Sequence, residues 1–180
     1  MTTKSAGERA VSTLEIEDVL IVSADLKLDR EFNQTSQVEL QSVHRVGVES
    51  SVFFQKRVPI ANPEAPIYII RYFVKGDVEI AKPGTSISDD KISDSDRLAL
   101  LSFVFAVDYR CLEGAAPDQD AVSAFAQNAV FHAWPYWRES VHAATARMRL
   151  PTVTVPMFRR PNGKSTTASP AAAAQPSDAR

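Results

Sequence analysis

An α+β domain, with a four-stranded antiparallel sheet and C-terminal helices packed on one of its faces, is the fold class that the sequence predicts. Three observations predict it: the apolar periodicity is strand-like from Leu14 to Leu112, it turns helix-like after Gly114 and Pro117, and all strands precede all helices instead of alternating with them. At 180 residues the chain is long enough for one real core, and nothing in it divides into two.

In the first strand Leu14 and Ile16 alternate with Glu15 and Glu17, and Val19 to Val22 then run continuously apolar, as in a strand that passes into the core. Asp25 and Asp29 flank a short Leu26-Lys27-Leu28 segment. In the second, Val38, Leu40, Val46 and Val48 share one parity while Glu39, Gln41, Arg45 and Glu49 take the other, which predicts one wet face. Phe53 and Phe54 follow in what reads as the connection after that strand.

Pro59, Pro63 and Pro66 punctuate the approach to the third strand, Ile67 to Ile80. Its Tyr68, Ile70, Tyr72, Val74, Val78 and Ile80 share a face opposite Arg71, Lys75, Asp77 and Glu79. Pro83-Gly84 ends it, and Ser86 to Asp96 reads as a polar loop. The fourth strand, Leu98 to Leu112, is apolar on both faces: Leu101, Phe103, Phe105, Val107 and Tyr109 on one, Leu98, Leu100, Val104 and Ala106 on the other.

Beyond Pro117, Asp118 or Asp120 is placed to cap a helix carrying Val122, Phe125 and Ala129. A second helical segment places Trp134, Trp137, Val141, Ala144 and Met148 in one stripe, with Pro135 in its first turn or kinking it and Pro151 stopping it. Thr152 to Met157 alternates briefly, as an edge strand or an extended segment. Helices on one side of such a sheet leave its other side bare. That side's apolar content predicts burial between subunits, and hence an oligomer.

The expected organisation is a flexible tail over 1–12, the domain over 13–160, and a disordered tail over 161–180. That last stretch holds no large apolar side chain and is rich in Pro, Ala, Ser and Thr. A net charge of -2 supplies no electrostatic footprint for nucleic acid. The lone Cys111 closes no intramolecular disulfide, which suits a reducing compartment. No apolar leader segment or membrane-spanning run is present, so a cytoplasmic location without membrane insertion is expected.

Chemistry-bearing motifs are few. Gly163-Lys164-Ser165-Thr166 mimics the end of a phosphate-binding loop, but Phe158 stands where its first glycine belongs. His44, His132 and His142 are scattered, with no i, i+4 metal pair, and Cys111 has only Arg110 beside it as a basic neighbour. No G-x-S-x-G, H-E-x-x-H or G-x-G-x-x-G occurs. Neither a metal nor a cofactor is expected, and no catalytic constellation is offered.

The stretch Asn128 to Arg159 resembles the helix-and-extension segment of the SecB export chaperones. In that family an asparagine, several apolar residues and Pro-Tyr-x-Arg-Glu open a long helix that ends before Leu/Phe-Pro and an extended apolar stretch. Asn128, Pro135, Tyr136, Arg138, Glu139, Leu150 and Pro151 stand at the matching positions. The resemblance implies subunits paired into a homotetramer, a dimer of dimers. Trp134, Trp137, Val141 and Met148 would then lie on the long helix at the contact between dimers or beside the groove. Phe103, Phe105 and Tyr109 would face the client groove or the core, and Phe53 and Phe54 would serve as exposed client-binding aromatics.

The same resemblance implies an ATP-independent holdase for unfolded or pre-export proteins. Asp25 and Asp29 match the acidic first-strand pair that docks the SecA translocase motor, but Phe103 replaces the glutamate expected on the fourth strand. The family's final helix is also replaced by a polar tail. Those departures point toward the SecB-like chaperones dedicated to one client, such as a toxin-antitoxin partner. An α+β enzyme with an unrecognised site is the remaining reading.

Overall fold

The structure is a computed structural model and describes residues 14–32, 40–57, 66–85, 87, 91–112 and 119–158, excepting the side chains of 53–57 and 66. The tails expected over 1–12 and 161–180 lie outside the described residues. Four strands, β1 (Leu14–Leu28), β2 (Ser42–Arg57), β3 (Pro66–Ala81) and β4 (Arg97–Cys111), precede one helix, α1 (Gln119–Arg147). The sheet has the order β1-β4-β3-β2. Every pairing is antiparallel, with Leu14 opposite Cys111, Ile70 opposite Tyr109 and Ser42 opposite Ile80.

The alternation of β3 and β4 sets the core. Ile70, Tyr72, Val74, Val78 and Ile80 are fully buried on the face beneath α1. Their cross-strand neighbours Tyr109, Val107, Phe105 and Leu101 are fully buried beside them. From the helix come Val122, Phe125, Ala129, Ala133, Trp137 and Val141. Tyr72 donates its hydroxyl to the Val122 carbonyl at 2.8 Å, which ties the helix start to the sheet and satisfies a buried polar atom.

Where two helical segments were expected, the chain forms one uninterrupted helix through Pro135. Proline removes the bond to the Phe131 carbonyl, but both residues lie on the exposed side, where water can take that acceptor. The helix ends in a Schellman motif: Leu150 N–H bonds Thr145 O at 3.0 Å, and Arg149 N–H bonds Ala146 O at 3.1 Å. Arg149 holds the left-handed conformation at φ 54°. Pro151 then carries the chain into an extended strap over 151–158, with Val153 and Val155 buried.

Strand β1 corrects one expectation. The continuous apolar run at Val19–Val22 does not enter the core; it lies on an edge strand, and Leu20, Ile21 and Val22 are exposed. Bulges at Glu17 and Val22 shift the register twice, so the inward parity changes from Leu14 and Ile16 to Val19 and Ile21, then to Ala24 and Leu26. An apolar run is what two parity changes leave in the sequence.

The helix-free face is not purely apolar. It carries a charged ladder over its apolar residues: Arg71 grips Asp108 with two 2.7 Å hydrogen bonds, Ser102 donates to Asp77 at 2.6 Å, and Glu79 is held by Arg45 and, at 2.8 Å, by Arg97. Desolvation pushes the Glu79 carboxyl up, but the two guanidinium groups outweigh it and hold the pKa below its usual value. The 3–4 connection folds Ile92 against Val43 and Ala81, covering one end of this face. Leu100, Val104 and Phe73 on the same face are half-buried.

Candidate functional site

The stripe expected at a subunit contact is largely satisfied inside the chain. Trp137 and Val141 are fully buried and Ala144 nearly so, while Trp134 and Met148 are half-buried against the same core. The geometric reason is Gly76. On the helix face of β3 it interrupts the row of large side chains between Val74 and Val78, and the Trp137 indole fills the space. His44 meets that indole edge-on at 6.2 Å between ring centroids. Burial pushes the His44 imidazole below its ordinary pKa.

Phe103, Phe105 and Tyr109, expected at a groove or in the core, are in the core. Tyr109 packs edge-on against Phe125 at 4.7 Å, and its hydroxyl lies 2.6 Å from His132 Nδ1. Phe53 and Phe54 are not in a connection: β2 continues through them to Arg57, pairing them with Ile70 and Ile69. Their side chains lie outside the described residues.

The acidic pair is not a pair of free carboxylates. Asp29 bonds Lys82 at 2.7 Å and accepts the Glu31 N–H at 3.0 Å, and the lysine bond chiefly holds its pKa below the usual carboxylate range. Asp25 is exposed and lies 2.9 Å from Lys27.

What the structure leaves open is elsewhere. Helix α1 lies over β2, β3 and β4 and touches β1 least. The helix face of β1 therefore forms an apolar shelf: Ile16, Ile21 and Leu26 are 42%, 59% and 42% exposed, opposite buried Tyr109, Phe105 and Leu101. Sequence reasoning placed this run in the core because a chain of apolar residues does not reveal that its strand is an edge. The outer edge of β1 from Val19 to Ala24 carries no charged side chain, although exposed edges are commonly guarded by charge.

A second apolar surface forms where the strap crosses the helix. Trp134 Nε1 donates to the Pro156 carbonyl at 3.1 Å, and the Phe158 ring packs against Trp134 and Phe131 at 5.2 and 5.7 Å. Arg138 reaches the Met157 sulfur at 3.3 Å. Among the described residues no group of three His, Cys, Asp or Glu is gathered to hold a metal, and no helix is long and apolar enough to cross a membrane.

An open antiparallel sheet of this order, with one long helix on one face and an extended strap behind it, defines the SecB-like fold. The SecB-like chaperone Rv1957 of Mycobacterium tuberculosis, solved in complex with a ChAD peptide from the HigA1 antitoxin Rv1956, superposes with a TM-score of 0.60 at 19% identity. The match covers 87% of this chain and 98% of that one. No protein-family model matches the sequence, and no curated protein is significantly similar to it. The chain therefore has the SecB-like fold, the one that its Asn128–Arg159 segment resembles.

Proposed function

We propose that the protein is a non-enzymatic, ATP-independent chaperone that holds an extended apolar segment of another protein, and that it is dedicated to one partner such as an antitoxin. The observation that carries this reading is the apolar shelf of Ile16, Ile21 and Leu26 beside α1, open in a SecB-like fold. Burial of apolar side chains needs no nucleotide and tolerates salt. The solved SecB-like neighbour, bound to an antitoxin peptide, supports the dedicated role. SecA docking draws less support, because Lys82 neutralises Asp29 and Lys27 lies beside Asp25. A general holdase for unfolded or pre-export proteins in the cytoplasm is the second reading.

The uncharged outer edge of β1 supports assembly of copies by strand pairing, toward a homotetramer. One experiment tests binding and assembly together. Purified protein should suppress aggregation of a refolding client without ATP, in proportion to its own concentration, or bind one partner tightly, and should scatter light as an oligomer. Ile21→Lys should weaken both, while shifting stability by no more than about 0.5 kcal/mol because the side chain is exposed. Wild-type protein that binds neither unfolded chains nor any single partner sinks the chaperone reading; a monomer across micromolar concentrations sinks the assembly.

A further inference from the structure

Among the described residues that form it, Arg138 is the one cation in an otherwise apolar surface on α1. Phe131, Trp134 and Arg138 follow at steps of three and four along the helix and so share a side, and the strap lays Pro156, Met157 and Phe158 against it. Phe131 is 50% exposed and Met157 71% exposed, so this surface is open. The Arg138 Nε atom is shielded from water and has no hydrogen-bond partner. Its Nη1 donates only to a thioether sulfur, a weak acceptor. No carboxylate pairs with the guanidinium among the described residues, whereas Arg71, Arg97 and Arg110 each hold one.

A guanidinium offers five N–H donors in a planar fork that fits a carboxylate with two parallel bonds. The shielded Nε–H is out of a ligand's reach, but a carboxylate arriving with an apolar side chain would take the Nη donors at the exposed Met157 contact while covering Phe131 and Met157. We propose that Arg138 is the anion-binding point of a partner-docking surface. It selects an extended apolar segment that carries an aspartate or glutamate beside its apolar residues. This rests on the binding role proposed above and adds the chemistry of the partner: apolar with a negative charge, rather than apolar alone.

The test uses full-length protein and two short fluorescent peptides of Leu, Trp and Ser that differ only in a central Glu or Gln, titrated by fluorescence anisotropy. The Glu peptide should bind roughly tenfold or more tightly at low salt, the size expected for a charge-assisted hydrogen bond. Raising the salt should narrow the difference. Arg138→Gln should remove the preference for Glu over Gln, and Arg138→Lys should restore only part of it.

Equal binding of both peptides to the wild type overturns the proposal and leaves the chaperone reading standing; binding of neither peptide counts against that reading itself. Two other occupants would also overturn it. Self-association seen by light scattering and lost in Arg138→Gln would place a second copy on the surface. A gain in Glu-peptide affinity in Asp178→Asn would show the chain's own acidic residue occupying it.

Discussion

The indole of Trp137 lies so close to Gly76 that a Cβ built on the glycine would stand 2.5 Å from Nε1 and 2.7 Å from the neighbouring ring carbon. The helix and the third strand thus approach one another by omitting one side chain and inserting the largest one. Trp137 Nε1 is left without a hydrogen-bond partner. The fit of the ring is therefore bought with an unmet donor, a sign that shape rather than polarity selects this contact.

Replacing Gly76 by alanine should destabilise the fold by about 1–3 kcal/mol or more, since a buried indole has no room to retreat. Denaturant unfolding measures the loss. In the double variant with Trp137→Phe the combined loss should be smaller than the sum of the two single losses, because the smaller ring vacates the clash. Strict additivity would mean that the two residues do not touch.

Arg149→Gly should stabilise the protein by roughly 0.5–1 kcal/mol, because the Schellman motif holds Arg149 at φ 54°, where an L side chain is disfavoured and glycine is not. Arg149→Ala keeps the Cβ and should bring no such gain. A melting temperature that falls in the glycine variant would show that the arginine side chain contributes more than its backbone costs.

Acid should weaken the fold over a window set by two histidines. Burial lowers the pKa of both His44 and His132 in the folded chain, whereas an unfolded imidazole titrates near 6.5. As pH falls below about 6.5 the unfolded chain binds protons first, so the stability present above that value is lost progressively toward the folded pKa. Melting curves between pH 7.5 and pH 5 should therefore move downward, and less so in His44→Gln. The lowered carboxylates, Glu79 among them, act only at more acidic pH. An unchanged melting temperature across that range would contradict the burial of both rings.

The two inner strands were the most legible in the sequence. Tyr72, Val74, Val78 and Ile80 alternate because one face of β3 is dry, and β4 reads as apolar on both faces because it is central, with Ala106 buried opposite the helix side. Edges are different. Leu20, Ile21 and Val22 have the composition of a core strand and the position of a rim, and only strand order, a long-range property, separates the two. Pro135 suggests a break in the helix because the sequence does not show that Phe131 and Pro135 lie on the exposed side, where water can take the freed carbonyl.

The candidate site was less legible still. The missing large residue at Gly76 marks where Trp137 enters, but a gap in an alternation does not name what fills it. Arg138 stood within the Pro-Tyr-x-Arg-Glu resemblance. Its lack of a carboxylate becomes visible only when the strap places Met157 against it.

The pairing of β1 with β4 also governs how the chain comes off the ribosome. Leu28 must wait for Ala99, roughly seventy residues later, before its half of the ladder can close, and Leu14 must wait longer for Cys111. At the ~5–20 residues per second of synthesis, that leaves an apolar strand without a neighbour for several seconds. Closing so long a loop is also slow in free solution, since its entropy must be lost before the pairing rewards it. The shelter that the proposed role would give to the strands of others is thus what this chain itself needs while it is being made.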